Sequence, residues 1–181
     1  LPLIIFLQGL FYAFGFGILR PLLTDRFGFN ASQSAVVVSL CGVITILILW
    51  LVHKYADQLE EQLVFIAISG LTILALLCSI LPLGYLGFGV ILVLYAAEYV
   101  CEPFMSDALN RHTSSRQRAT TLSVASFFKA LPYVILAPII GYLSNRGLLW
   151  VYLLFSAATV LLSMFYYIAT TKQRKTLSLT K

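Results

Sequence analysis

Apolar runs of about twenty residues alternate with short polar breaks along nearly the whole chain, at roughly 2–23, 33–52, 62–82, 85–107, 119–143 and 148–170. About 20 mostly apolar residues, rising ~1.5 Å each, cross the ~30 Å hydrocarbon layer of a bilayer. Every run meets that length, and the gaps between them are too short to hold a soluble domain. The pattern predicts an all-α, polytopic membrane protein with six transmembrane helices over residues 1–171, followed by a basic cytoplasmic tail at 172–181. In the first polar break, Asn30 or Ser32 can cap the next helix. Pro82 and Gly84 make the third break a tight turn.

Polar positions inside the runs are uneven. The third and sixth segments carry no internal charge, only isolated Ser and Thr that can bond back to their own backbone, and they read as lipid-facing support. The first carries Gln8 and Tyr12 four residues apart on one face, beside Gly9, Gly15 and Gly17, small residues of the kind that let helices approach closely in lipid. The fourth carries Tyr95, Glu98 and Glu102 as a single stripe, with Tyr99 beside it. The fifth carries Ser126, Lys129 and Tyr133 at the same spacing, and its Pro132 and Pro138 free backbone carbonyls and permit bending.

Composition agrees with a membrane chain: 60% of the 181 residues are hydrophobic and 10% charged, against about a quarter charged in soluble domains. The net charge of +5 does not read as a nucleic-acid footprint, because the basic residues sit at helix ends, where they set topology. Lys54, Arg111, Arg116, Arg118 and the tail residues Lys172, Arg174, Lys175 and Lys181 fall on one side of a six-span chain. Arg20, Arg26 and Arg146 fall on the other. That bias places both ends of this segment in the cytoplasm, and the expected location is a cell (inner) membrane, as the resemblance given below implies. Leu1 stands at the edge of a helix, so the segment reads as part of something longer.

Cys41, Cys78 and Cys101 lie within helices without metal or redox spacing, and His53 and His112 each lack a nearby second ligand, so no metal and no cofactor is expected. Without a Ser–His pair, a His/Cys/Asp cluster or a Gly-rich phosphate loop at a membrane edge, the chain does not read as an enzyme. Asp107, Asn110, Arg111 and His112 cluster at one membrane surface and read as a solvated interhelical loop.

The intramembrane charges Glu98, Glu102 and Lys129 carry the candidate chemistry. A charge at the centre of a spanning helix costs roughly 2.5–3.5 kcal/mol on insertion scales, so such groups face a cavity or a partner. Counted inward from Asp107, Glu98 lies about 13 Å deep, and counted from Arg118, Lys129 lies about 16 Å deep. The depths pair Lys129 with Glu98, and Glu102, about 7 Å in, reaches inner water. Such a pair either fixes helix packing or exchanges a proton as it rearranges, since burial opposes ionisation of a carboxyl and a neighbouring ammonium favours it.

Glu102-Pro103, Asp107, Asn110, the run Arg118-Ala119-Thr120-Thr121-Leu122-Ser123 and the run Ala137-Pro138-Ile139-Ile140-Gly141 together resemble the carboxy-terminal half of bacterial major facilitator superfamily transporters. The resemblance covers all six segments and is specific across 102–143. Of the loop signature that follows the second helix of a half in that family, only Asp57 is present, which matches a second half better than a first. Pro138 and Gly141 look like a weakened antiporter signature. The resemblance implies a secondary active transporter that exports small organic or drug-like molecules against protons by alternating access, partnered by an amino-terminal six-helix half. It implies that the first, second, fourth and fifth segments line the cavity, with Asp57, Asp107, Asn110, Arg118, Pro138 and Gly141 in gating or loop motifs. Gln8, Tyr12, Tyr95, Tyr99, Glu98, Glu102, Ser126, Lys129 and Tyr133 are the candidate cavity and coupling residues. The competing expectation is a non-transporting six-helix assembly factor or receptor that kept the fold.

Overall fold

The computed structural model describes residues 2–15, 19–55, 61–111, 113 and 117–179, and every regular element among them is helical. In chain order these are α1 (Pro2–Gly15), α2 (Leu19–Arg26), α3 (Ala31–Lys54), α4 (Glu61–Cys78), a 3-10 turn (Gly84–Gly87), α5 (Phe88–Arg111), α6 (Arg118–Ser144) and α7 (Leu148–Leu179). Among the described residues, four helical stretches are long and apolar enough to cross a membrane: Ala31–Lys54, Gly84–Phe104, Arg118–Ser144 and Leu148–Ile168. Only 17% of the apolar stretch of α3 is buried within the chain, and Val43, Ile46, Leu47 and Trp50 stand open. An apolar surface of that extent has lipid as its natural solvent, so the protein is membrane-embedded.

Of the remaining two expected spans, the one at 2–23 is described as α1 and α2 on either side of residues 16–18, which lie outside the described residues. The polar and Pro-containing sequence of α2, with Thr24, Asp25 and Arg26, does not suit hydrocarbon. In α4 the apolar part is Leu63–Cys78.

Two other boundaries differ instructively. The basic tail expected at 172–181 continues α7 as a helix to Leu179, although the apolar part of α7 ends at Ile168. Lys, Gln, Arg and Leu are good helix formers, so the helix runs on after its hydrophobic stretch ends. Likewise α5 runs to Arg111, four residues past the expected end. Pro103 lies inside it and removes one backbone donor without ending the helix.

Packing centres on α5, which meets α1, α3, α4 and α6. Leu94 and Cys101 of α5 are fully buried in one continuous apolar core with Phe11 of α1, Phe65 of α4 and Phe155 of α7. The crossing of α1 and α6 depends on Gly9. A Cβ there would stand 2.8 Å from Pro132 Cγ and would also run into the carbonyl oxygen of Lys129. The backbones therefore touch with no side chain between them, as small residues allow in membranes. At the other end of the bundle, Asn30 caps α3: its side chain accepts from Gln33 N at 2.8 Å, and the Gln33 side chain accepts from Asn30 N at 2.9 Å. Nearby, the guanidinium of Arg26 donates to the carbonyls of Ser79 (3.0 Å) and Ile80 (2.8 Å), satisfying acceptors that the end of α4 leaves over.

Candidate functional site

Three helices bring polar side chains to one point inside the bundle. The carboxylate of Glu102 on α5 forms an ion pair with Lys129 of α6 and accepts a hydrogen bond from the side-chain amide of Gln8 on α1, both through Oε2. Gln8 is fully buried, and its own Oε1 meets no donor among the described residues. The side chain of Lys129 is 19% exposed and that of Glu102 is 49% exposed, so one face of the carboxylate opens away from its partners. A carboxylate that accepts two charge-assisted or polar bonds and still has an open face can exchange a ligand or a proton there.

Aromatic rings complete the surroundings. Lys129 Nζ lies 5.5 Å from the centroid of the Tyr12 ring, within cation–π range. Tyr12 in turn meets Tyr133 edge to face, with centroids 6.0 Å apart. On α5, Tyr95 and Tyr99 stack at 4.8 Å, and their hydroxyl oxygens are 3.5 Å apart. Their i, i+4 spacing makes Tyr95 and Tyr99 readable as neighbours in the sequence.

The open face of Glu102 borders a cavity of about 750 Å³ between α3 and α5, lined by Leu49, Val52, His53, Tyr99, Glu102, Pro103, Phe104, Ser106 and Asp107. That volume is within the usual range for small-molecule sites. It lies at the end of the bundle where α3 finishes at Lys54 and α5 approaches Arg111. A second space of about 350 Å³ adjoins it, lined by apolar residues of α3, α4 and α5, and Val52 borders both.

The expected site residues divide into those that meet here and those that do not. Gln8, Tyr12, Glu102, Lys129 and Tyr133 come together, with Tyr99 and Asp107 on the cavity wall. Glu98 is buried on α5 one turn from Glu102. Depth counting from the sequence pairs Lys129 with Glu98, whereas in the structure its partner is Glu102. Counted from the observed end of α5 at Arg111, Glu98 and Glu102 each stand about 3 Å from the level of Lys129, so depth does not choose between them and the packing of α5 against α6 does. Ser126 turns away and donates to Leu122 O at 2.9 Å. Asn110 is half-buried, and its Oδ1 meets no donor among the described residues. Arg118 is exposed at the start of α6; near its far end Pro138 and Gly141 are both exposed. A Cβ on Gly141 would meet nothing within 4 Å, so it serves no close helix approach. Asp57 lies outside the described residues.

The resemblance implies that the second segment, α3, lines the cavity, but none of the expected site residues lies on it. His53 reads as a lone histidine, yet Leu49, Val52 and His53, at i, i+3 and i+4, form one helical face that closes the cavity opposite Glu102 and Asp107. No group of three His, Cys, Asp or Glu side chains suited to a metal occurs among the described residues. Comparison with family models, with curated proteins and with solved structures finds no match for this chain.

Proposed function

We propose that the protein is a secondary active transporter, in which this segment forms one six-segment half of a major-facilitator-type bundle and exports small organic molecules in exchange for protons. The observation that carries the proposal is the contact of Glu102, Lys129 and Gln8 across three helices, beside a cavity of ligand size. Ionisable groups within spanning helices are expensive, and they mark pathways or proton relays by default. Protonating Glu102 would remove the charge that holds both Lys129 and the Gln8 amide, so α1, α5 and α6 would be released from one another at one atom. Pro103 directly follows Glu102, and Pro132 follows Lys129 by three residues, so each helix lacks a backbone hydrogen bond close to its charge. Bending there would let α5 and α6 move about Glu102 and open the cavity to alternate sides. The charge bias places the end of the bundle holding the cavity in the cytoplasm, with an amino-terminal half as partner and the bilayer as surroundings.

The test is proton flux in vesicles containing the intact protein, with an internal pH dye and a panel of small organic cations, neutrals and anions. Glu102→Gln is expected to abolish substrate-driven proton movement, and Lys129→Met is expected to alter its pH dependence. Flux unchanged in both variants would reduce the pair to a packing device and favour a non-transporting protein that keeps the fold.

A further inference from the structure

Charge is divided unevenly along the chain. All seven Asp and Glu lie at or before Asp107, whereas only Arg20, Arg26 and Lys54 of the twelve Lys and Arg precede it. The net charge of +5 therefore arises wholly in residues 108–181, and neither α6 nor α7 contains a carboxylate. The positive-inside rule asks for Lys and Arg at cytoplasmic ends and is nearly indifferent to Asp and Glu. It accounts for the cations but not for the exclusion of acids. The break between α3 and α4 shows the difference, because on the same side of a six-span chain it mixes Lys54 with Asp57, Glu60 and Glu61.

The fold puts the cations of α6 and α7 at one depth. The two helices pack against one another and are joined by a short turn, in which Arg146 N donates to Leu143 O at 2.9 Å and Gly147 N to Ser144 O at 3.2 Å. At ~1.5 Å per residue, Arg118 stands about 39 Å from that turn along α6, and Lys172, Arg174 and Lys175 stand about 36–41 Å from it along α7. The apolar part of α7 ends at Ile168, so these three lie about 6–11 Å past the hydrocarbon edge. The headgroup layer is about 5–8 Å thick on each side of a bilayer. Because α7 stays helical to Leu179, the cations are held at and just above the level of lipid phosphates.

Nothing on these two helices offsets that charge. Lys172 and Lys175 stand three residues apart on α7, a spacing at which like charges repel. The dipole of α7 favours cations at its end, but Arg118 stands in the first turn of α6, where the dipole favours an anion. That turn holds no acidic residue, and its N-cap, Gln117, makes no side-chain bond to it. The carboxylate nearest in sequence, Asp107, lies on the wall of the cavity between α3 and α5. The first amides of α6 and the four cations thus call for the same thing, an anion from outside these helices.

We propose that the inner ends of α6 and α7 form a binding site for an acidic phospholipid, with Arg118, Lys172, Arg174 and Lys175 supplying the charge that attracts its headgroup. Its depth selects a lipid over a soluble acidic partner, since the cations stand where lipid phosphates are. Just inside them, Val124 and Phe127 of α6 and Phe165 and Ile168 of α7 are exposed and give the acyl chains an apolar surface. A headgroup shared by both helices ties their inner ends together. The site is separate from Glu102 and the cavity, and it stands whether or not the protein transports.

The probe is phosphatidylglycerol with a photoreactive group near the top of one acyl chain, a minor component of phosphatidylcholine nanodiscs holding the intact protein. Phosphatidylcholine with the same chain is the reference. Peptide mapping is expected to find label at 118–127 and 164–172, in excess from the acidic lipid. Each cation near an acidic membrane surface contributes about a fivefold preference, so Arg118→Gln should lower the excess by about that factor. Lys172→Gln, Arg174→Gln and Lys175→Gln together should abolish it. Lys172→Arg with Lys175→Arg should preserve it, and Arg146→Gln, at the opposite end of the same two helices, should leave it unchanged. Equal labelling by the two lipids, or an excess that survives the triple substitution, would overturn the site. Inorganic phosphate and sodium chloride at matched ionic strength should reduce the excess equally, by screening. Stronger competition by phosphate would assign the cations to a free phosphate-bearing solute and overturn the lipid site.

Discussion

Two places where polar groups enter the bundle satisfy them in opposite ways. Along the seam between α4 and α7, hydroxyls turn back on their own helices: Ser69 donates to Phe65 O at 2.7 Å, Thr159 to Phe155 O at 2.9 Å and Ser163 to Thr159 O at 2.7 Å. These bonds involve no charged side chain, and Phe65 and Tyr166 close the seam edge to face with centroids 5.5 Å apart. At the crossing of α1, α5 and α6, the polar groups of Gln8, Glu102 and Lys129 bond to one another, each from a different helix. The first arrangement survives if the helices slide, since every bond stays within one helix. The second exists at one relative position only. The contrast separates a brace from a part able to switch.

Gly9→Leu should have the largest effect, because it drives a side chain into the Lys129 carbonyl and Pro132. Overpacking of this kind costs about 1–3 kcal/mol, read as a lowered thermal midpoint in detergent. A midpoint equal to wild type would show that α1 and α6 do not meet as described. Glu102→Leu should cost about 1–2 kcal/mol, less than breaking a deeply buried pair because the carboxylate is half exposed. Adding Lys129→Leu to it should recover most of that loss, and a double-mutant cycle without coupling would erase the difference between crossing and seam. Arg26→Ala removes the guanidinium from the Ser79 and Ile80 carbonyls and should cost about 1 kcal/mol in the same melts. The smallest effect is expected in the seam. Thr72 is buried, and its hydroxyl meets no partner among the described residues, so Thr72→Val should be neutral or raise stability by about 0.5 kcal/mol. A marked destabilisation there would mean the seam carries interhelical bonds after all.

Much of the candidate site is local and can be read along the chain. The stripe of Tyr95, Glu98 and Glu102, and the stripe of Ser126, Lys129 and Tyr133, follow from helical period alone, and they reach the crossing through Glu102, Lys129 and Tyr133. The cap of Asn30 on α3 is equally local, since its partners lie three residues away. Which carboxylate meets Lys129 is not local. It depends on how α5 and α6 pack, since counting from the observed end of α5 leaves both carboxylates about 3 Å from the level of Lys129. Polar residues at a membrane surface give hydropathy no sharp edge, so that boundary is poorly legible along the chain.

Hydropathy and residue spacing alone establish a helical, membrane-embedded chain, the membrane edges of α3 and α6 to within a few residues, and the costly intramembrane charges. They suffice because hydrocarbon forces each backbone polar group into its own helix and leaves charge conspicuous. Packing in three dimensions was needed to set His53 across a cavity from Asp107 and to bring Gln8 and Lys129 together on Glu102. Those outcomes depend on rotation and sliding of one helix against another. In lipid those movements are governed by side-chain shape, such as the missing side chain of Gly9 against Pro132, and hydropathy is blind to shape.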